Sequence, residues 1–471
     1  MSETAVRPVT VLLITSAATF LLSLDLFIVN IAFPAIGAAF PGSDLADLSW
    51  ILNSYTIVFA AVLGLAGRLA DRHGHRRLFL IGLSVFTVAS AACAAAPSVW
   101  LLVAARALQG VGAALVMPSS LSLLLAAWPP ERRGVAVGTW ASIGAVAAAL
   151  GPPLGGLLVT ASWEWVFLVN VPIGVLALVA GARVLRETDT SRAGRPDVLG
   201  AACLIVGVGA LAYALVAAPE NGWLALDVLV GAAVAVVGLA AVVVRSRRHP
   251  VPAVEMAVLR VPQMALAASM MLLFICGFAG MLIVNVAYLT QTWGWTAQAA
   301  GLALAPGPAV VVVVSRLAGQ AMSRLSVGVL ATAGSVCFAA GAGWWLLRLS
   351  LTPNYLGGML PGQLLTGLGV GLVLPTLSSV VGSALPAEHW GSGSSLISTA
   401  RQVGTVLGVA LIVTVMGADG GGALPAGLPA IQAGWTLLAA AATSAAIIGV
   451  VFIVVERRLR AIAALPGSDL L

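Results

Sequence analysis

Apolar runs of about twenty residues recur along the whole chain, and this pattern restricts the fold more than any other feature. A helix of about twenty residues is long enough to cross the hydrocarbon core of a bilayer. The short alternating segments of a transmembrane β-barrel do not occur in the sequence. Hydrophobic residues make up 60% of the 471 residues and charged residues 8%, which is too little charge to cover a soluble protein of this length. The sequence therefore predicts an all-α polytopic membrane protein.

Fourteen of these runs are long enough to cross a bilayer, and each is predicted to be a transmembrane helix. The predicted spans are residues 10–37, 48–67, 77–96, 98–127, 133–160, 165–184, 197–217, 226–245, 263–290, 298–322, 326–349, 354–382, 391–416 and 431–456. An even number of spans places both termini on the same side of the membrane.

Arginines are concentrated in one set of the loops between the spans, and the chain contains no lysine. The opposite loops carry Arg348 as their only arginine, together with the acidic residues Asp44, Asp47, Glu164, Glu220, Asp227 and Asp419. Because arginine-rich loops stay in the cytoplasm, both termini are predicted to be cytoplasmic, in a bacterial inner or plasma membrane. The net charge of +6 reflects these topology signals and does not indicate nucleic-acid binding.

The two halves of the chain are related by an internal repeat. "RALQGVGAALVMPSSLS" (106–122) aligns with "QLLTGLGVGLVLPTLSS" (363–379), with matching glycines and a matching proline. The repeat predicts two pseudo-symmetric six-helix bundles, residues 1–184 and 263–471, with an inserted helix pair and its polar linkers at 185–262. Two similar bundles with a site between them at the bilayer midplane is an arrangement that allows alternating access.

Five short motifs follow one another in the first half of the chain. They are "LDLFIVNIAFP" (24–34), "GRLADRHGHRR" (67–77), "ARALQGVGAA" (105–114), "GPPLGG" (151–156) and "WEWVFLVNVPIG" (163–174). With them the sequence resembles the major facilitator superfamily, specifically its fourteen-helix drug:proton antiporter family (QacA/EmrB-like). The resemblance covers nearly the whole chain. It implies a proton-coupled exporter of lipophilic drugs or antibiotics.

The loop at 67–77 is the first place where the resemblance implies a role for individual residues. In the family, its acidic residue, here Asp71, is taken to dock on the N-terminus of a helix in the second bundle. Span 13, which begins with "GSGSS" (391–395), is the candidate acceptor. The implied cytoplasmic gate consists of Gly67, Asp71, Arg72, Gly74 and Arg76. The alternative is a hairpin that only marks the cytoplasmic side.

Asp25 and Arg106 are charges within predicted spans, where an ionisable residue usually marks function and needs a partner. Counting residues from the span ends places Asp25 ~22 Å and Arg106 ~18 Å from the cytoplasmic face, so the two can meet directly or through a water. Asp25 is the only acid placed deep within a span, which makes it the candidate proton carrier, with Arg106 tuning it. A permanent structural ion pair is the alternative.

"GPPLGG" in span 5 resembles a signature of antiporters and exporters in the superfamily. Its residues Gly151, Pro152, Gly155 and Gly156 are predicted to bend the helix and to allow close helix contact. The resemblance favours export over uptake, although simple packing of small residues is the alternative.

A substrate cavity is expected between the two bundles. The candidate lining residues are Asn30, Tyr55, Trp140, Asn285, Tyr288, Gln363 and Arg401. The predicted spans place one deep carboxylate, Asp25, against the two arginines Arg106 and Arg401, so the cavity is not an obvious site for dications. The expected substrates are therefore monovalent lipophilic cations, neutral amphiphiles or zwitterionic antibiotics.

Other classes of function lack a motif in this sequence. It contains no P-loop, which argues against ATP-driven pumping, and no constellation typical of an enzyme or a metal site. The expected partners are protons, a small lipophilic molecule and the lipid bilayer, with no cofactor. The alternatives are export of a physiological solute, lipid or siderophore, and a membrane sensor or scaffold that transports nothing.

Overall fold

We describe the protein from a computed structural model. The described residues are 8–43, 45–129, 132–187, 197–250, 252, 254, 256, 258–322, 324–348, 350–386, 390–417 and 427–463. All the α-helices and the two π-helical turns in this part of the chain are listed here in order: α1 (Pro8–Ala39), α2 (Leu45–His73), α3 (His75–Ala94), α4 (Val99–Ala127), α5 (Arg133–Val159), α6 (Trp165–Leu168), α7 (Asn170–Val184), α8 (Val198–Asn221), α9 (Leu226–Arg248), α10 (Pro262–Ala287), a π-turn at Tyr288–Thr292, α11 (Ala297–Leu304), α12 (Pro306–Ala321), α13 (Val327–Leu347), a π-turn at Tyr355–Met359, α14 (Leu360–Ala384), α15 (Trp390–Gly417) and α16 (Leu428–Ala463).

These helices make fourteen crossings, as the apolar runs predict. Within the described residues, 13 segments are long and apolar enough to cross a membrane, and α5 contributes a shorter apolar stretch, Val146–Val159. Helices α6 and α7 form one crossing, and α11 and α12 form another, broken beside Pro306. A proline lacks the backbone N–H that would continue the ladder, so it starts α12. The predicted polytopic all-α fold is confirmed.

Helices α8 and α9, which the sequence predicts to be an inserted pair, pack against each other, and α8 also contacts helices from both halves of the chain. Helix α8 contacts α2 from the first half and α15 from the second. The Thr414 hydroxyl on α15 donates a hydrogen bond of 2.6 Å to the Leu215 carbonyl on α8. Asp197 caps the N-terminus of α8, and its carboxylate is also paired with Arg245 of α9. An ion pair therefore links α8 to α9, and a hydrogen bond links α8 to the second half.

The two halves also meet at the face opposite the chain termini, where α5 contacts α11. A Cβ atom added at Gly156 would lie 2.6 Å from the Ala297 carbonyl oxygen, and one added at Gly301 would collide with the Pro152 carbonyl. Glycine at both positions lets the helices approach to backbone contact. This contact closes the space between the halves on that side.

Candidate functional site

A fully buried cluster of polar side chains surrounds Asp25 in the first half. Asp25 Oδ2 accepts a hydrogen bond of 2.5 Å from Arg106 Nη1. Asp25 Oδ1 accepts bonds of 2.9 Å from Gln109 Nε2 and 3.0 Å from Asn170 Nδ2. All four residues have 0% relative exposure. The cluster joins α1, α4 and α7, and within it both carboxylate oxygens have donors.

The Arg106 guanidinium is held on every side. Its Nη1 also donates to Gln109 Oε1 at 2.7 Å, and its Nε donates to the Ile51 carbonyl at 3.1 Å. It lies over the Tyr55 ring at 4.4 Å and near the Phe167 ring at 5.8 Å. A buried guanidinium needs this many partners, because an unpaired charge away from water is costly.

The sequence of α4 explains why these groups meet. Arg106 and Gln109 are three residues apart, and therefore lie on one face of the helix. Glycines follow on neighbouring faces: a Cβ at Gly110 would lie 2.6 Å from the Tyr55 carbonyl oxygen, and one at Gly112 would lie 2.5 Å from the Phe86 nitrogen. These glycines let α4 pack closely on α2 and α3, which brings its polar face to Asp25.

A cavity of about 670 Å³ lies between the two halves, next to this cluster. Its walls are mostly apolar, and a volume of this size is typical of sites for drug-sized molecules. Tyr55 and Arg106 line it, so the Asp25 cluster adjoins the cavity through these two side chains. The lining extends towards the face of the chain termini, where it includes Arg316 near the end of α12 and Ser378 near the end of α14.

Five of the seven residues predicted to line the cavity do so, namely Asn30, Tyr55, Asn285, Gln363 and Arg401. The other two predictions are not supported by the geometry. Trp140 packs against Leu124 and donates a 3.0 Å bond to the Ser120 hydroxyl, and it is not part of the cavity lining. Tyr288 lies in an aromatic cluster with Trp293 and Trp435, and its hydroxyl donates to the Ser350 carbonyl at 2.8 Å. Both indole and phenol find partners within their own bundle.

Several polar groups of the cavity have no protein partner among the described residues. Gln363 is 3% exposed, and neither atom of its amide has a hydrogen-bond partner. Asn285 accepts a 2.9 Å bond from Trp435 but its Nδ2 has none. Arg401 is half-buried, and no carboxylate in the described part of the chain pairs with it. These groups are available to a molecule in the cavity.

The loop proposed as a gate is described only in part. Gly74 has a φ of 98°, a conformation that favours glycine, and the Glu187 carboxylate lies against it. Glu187 accepts bonds from the backbone N–H groups of Arg76 and Arg77, at 2.9 and 3.2 Å. This carboxylate therefore caps the N-terminus of α3. The Arg76 side chain donates to the Ala182 carbonyl at 2.7 Å.

The predicted docking of Asp71 on span 13 remains a prediction, since the Asp71 side chain lies outside the described residues. Arg72 is exposed at the end of α2. A Cβ added at Gly67 would lie 3.8 Å from the Cβ of Pro118 on α4.

The small residues of "GPPLGG" lie at helix contacts. A Cβ at Gly151 would be 2.7 Å from Phe27 Cβ, and one at Gly155 would be 3.0 Å from Ile28 Cγ1, both on α1. Gly156 faces α11 on the other side, and Pro152 lines the cavity. The stretch therefore packs α5 against α1 of its own half and against α11 of the second half.

Three residues of the site do not appear among the sequence-based candidates: Gln109, Asn170 and Arg316. Gln109 was detectable from its spacing to Arg106, and Arg316 from its position in the run "VVVVVSRLAG". No signal in the sequence links Asn170 to Asp25. Within the described residues, no group of three or more His, Cys, Asp or Glu side chains is placed to hold a metal ion.

Comparisons with known proteins agree with this architecture. A family model described as Major Facilitator Superfamily matches residues 15–409. The chain is 36% identical over 412 residues to the multidrug resistance protein Stp of Mycobacterium tuberculosis, an alignment that covers 86% of this chain and 75% of that protein. It is 35% identical over 421 residues to the tetracenomycin C resistance and export protein of Streptomyces glaucescens, covering 89% and 78%.

Solved structures share the fold at much lower identity. The crystal structure of a D-xylose–proton symporter superposes with a TM-score of 0.66 at 13% identity, covering 94% of this chain and 97% of that one. At this identity the likeness concerns the fold alone.

Proposed function

Because this chain belongs to the major facilitator superfamily, we propose that it exports lipophilic drugs or antibiotics from the cytoplasm in exchange for protons. The names of its relatives, which are resistance and export proteins, support this proposal. The bias of arginines to the loops on the side of the termini supports a cytoplasmic position for both ends. The proton gradient supplies the energy, without ATP or a cofactor, across a bacterial plasma membrane.

The observation that carries the proposal is the buried Asp25 cluster beside a cavity between the halves. A carboxylate that exchanges protons must be linked to the substrate site. Arg106 supplies the link, since it binds Asp25 at 2.5 Å, lies over Tyr55 and lines the cavity. A substrate that contacts Tyr55 and Arg106 changes the strength of the ion pair between the Arg106 guanidinium and the Asp25 carboxylate. Substrate binding and proton release are thereby coupled through one side chain.

The arrangement of the halves supports alternating access. Helices α5 and α11 close the face opposite the termini, whereas the cavity lining reaches towards the face of the termini. With both termini in the cytoplasm, this is the state that receives substrate from inside the cell. Rocking of the halves about the cavity then exposes it to the other side.

The experiment that tests this function is substrate-induced proton release from the detergent-solubilised protein, measured with a pH dye against a panel of lipophilic antibiotics. We expect release in the wild type and none in Asp25→Asn. Asp227→Asn is the matched control, because Asp227 is a partly exposed carboxylate in the first turn of α9, where it accepts a hydrogen bond from Asn221. Equal release in the wild type and Asp25→Asn would reject Asp25 as the carrier. Binding without release in either protein would reject antiport.

A further inference from the structure

We propose that the cavity selects lipophilic substrates that carry a negative charge, and that Arg401 binds that charge. The inference rests on the export function proposed above and names its substrate class. It departs from the sequence-based expectation of cationic, neutral or zwitterionic compounds.

The position of Arg401 is the first observation. It lies eleven residues into α15 from Trp390, ~16 Å along the helix axis. It is half-buried, it lines the cavity, and in the described part of the chain no carboxylate pairs with it. A guanidinium at membrane depth faces a wet cavity or a partner. Here the cavity offers the place for that partner.

The balance of charge in the cavity is the second observation. The described lining contains no aspartate or glutamate, while Arg316 adds a second guanidinium nearer the face of the termini. Asp25 does not offset these charges, because it is fully buried and already bonded to Arg106, Gln109 and Asn170. A cavity lined by uncompensated positive charge attracts anions and repels cations.

The rest of the cavity defines the remainder of the ligand. The rings of Phe27 and Phe278, one from each half, lie 6.4 Å apart on the lining and suit an aromatic body. Gln363, with both amide atoms unpartnered, lies 21 residues from the Ala384 end of α14, ~32 Å along the axis. It is therefore ~16 Å deeper than Arg401. The fitting molecule has an anionic group, an aromatic body, and a hydrogen-bonding group at its far end.

Arginine suits the first of these contacts, because its planar fork donates two parallel hydrogen bonds to a carboxylate or sulfonate. Two sources supply such an anion: a soluble lipophilic acid and the headgroup of an anionic lipid. The proposal is for the soluble acid, so the test separates the two.

The test measures binding of three matched probes, pyrenebutanesulfonate, pyrenebutanol and pyrenebutyltrimethylammonium, to the full chain in nanodiscs of phosphatidylcholine alone. Energy transfer from tryptophan to pyrene reports binding. We expect the sulfonate to bind about ten- to a hundredfold more tightly than the other two. Arg401→Gln abolishes that preference and Arg401→Lys restores part of it. Arg348→Gln is the matched control, since Arg348 directly follows α13, stacks on Trp344 at 5.1 Å and lies outside the cavity lining.

Three results would overturn the proposal: equal or tighter binding of the cation, a sulfonate preference that survives in Arg401→Gln, and no saturable binding of any probe. Loss of sulfonate binding when phosphatidylglycerol is added to the nanodiscs would assign Arg401 to a lipid instead. Size-exclusion profiles of each variant separate loss of binding from misfolding. None of these results depends on proton release, so failure here leaves the proposed export to its own experiment.

Discussion

Asp25 and Arg106 form a buried ion pair whose main effect on stability is the cost of breaking it. Two charges lose their hydration on burial, and their attraction roughly offsets that loss only when further hydrogen bonds complete the site. Gln109, Asn170 and the Ile51 carbonyl supply those bonds. Removing one charge leaves the other buried and unpaired. Removing both leaves a neutral site that the remaining amides still occupy.

This difference predicts the outcome of a double-mutant cycle. Arg106→Gln is expected to lower the free energy of unfolding by about 3 to 5 kcal/mol, because it leaves the Asp25 carboxylate buried without its cation. Asp25→Asn/Arg106→Gln is expected to recover at least about 2 kcal/mol of that loss. Denaturant titration of the purified proteins in detergent measures both. A double variant no more stable than Arg106→Gln would show that the charges do not compensate each other.

At the residue scale, the sequence predicts charged members of the site better than neutral ones. Asp25, Arg106 and Arg401 stand out because ionisable residues are rare in apolar runs. Asn170 is a common polar residue at a span end, and its contact with Asp25 depends on how α7 packs on α1. Trp140 and Tyr288 were predicted to line the cavity and do not, for the same reason. Tertiary packing decides which face of a helix lines the cavity, and the sequence of an apolar helix does not show which face that is.

At the element scale, the contact of α5 with α11 is maintained by glycines, and one added methyl group is expected to disturb it. Gly156→Ala places a Cβ 2.6 Å from the Ala297 carbonyl oxygen, so the helices must separate. We expect the cavity to become more accessible from the face opposite the termini. An impermeant maleimide applied from that face to Asn30→Cys, in a chain lacking the four native cysteines, measures the labelling rate, which we expect to rise severalfold.

Gly343→Ala provides the control for this experiment. Gly343 lies within α13, and a Cβ added there meets no atom within 4 Å. Its substitution therefore changes helix propensity in the same way without touching a neighbour. Equal labelling rates in Gly156→Ala and the parent would contradict the proposed role of the α5–α11 contact.

The junction of the inserted pair has a pH dependence that follows from Asp197. Burial favours the neutral carboxyl group, but the hydrogen bonds from Arg245 and the Gly200 N–H outweigh it, so the pKa of Asp197 lies below the ordinary value for an aspartate. A pKa lower in the folded state means that the ion pair stabilises the fold above the unfolded value. That stability is lost as the pH falls through the lowered pKa.

Asp197→Asn keeps an N-cap side chain and removes the ion pair, so it isolates this effect. We expect a loss of about 1 kcal/mol at pH 7, seen as a fall of the apparent melting temperature by about 2 °C or less. The difference from wild type should vanish at pH values well below 3.8. Asp227→Asn, on the same hairpin but bonded to Asn221 and Tyr213, serves as control. A difference that persists unchanged in acid would contradict the assignment.

The sequence predicts most elements of this fold, because every crossing is encoded in a local apolar run of sufficient length. Interruptions within a crossing were not predicted. The break before Pro306 lies inside a hydrophobic stretch, where composition does not change. The π-turn at Tyr288–Thr292 lies at the polar end of the predicted span 263–290, and nothing in its composition distinguishes it from an ordinary helix end. The π-turn is held by its surroundings, since the Tyr288 hydroxyl and the Trp293 indole both donate to the Ser350 carbonyl.

At the scale of the whole molecule, the proposed charge of the substrate and the proposed proton carrier Asp25 together predict how much charge each transport cycle moves. One proton entering per anion leaving transfers two positive charges inwards. A neutral substrate transfers one charge, and a monovalent cation transfers none. Each charge is worth about 2.3 kcal/mol per 100 mV of membrane potential. The substrate class proposed for Arg401 therefore has a thermodynamic signature that does not depend on the structure of the ligand.

We expect proteoliposomes to concentrate pyrenebutanesulfonate by about three orders of magnitude per 100 mV at zero pH gradient, since two charges supply about 4.6 kcal/mol. The membrane potential is set with potassium and valinomycin, and the sulfonate concentration is measured on both sides of the membrane at steady state. The logarithm of the concentration ratio, plotted against the potential, gives the slope. A slope of two charges supports exchange of one proton for one anion. Asp25→Asn is expected to reduce the slope to one charge or to stop transport, because the anion then moves without its proton. A slope of zero in the wild type would mean that the protein does not couple this anion to charge movement, whatever the probe binds.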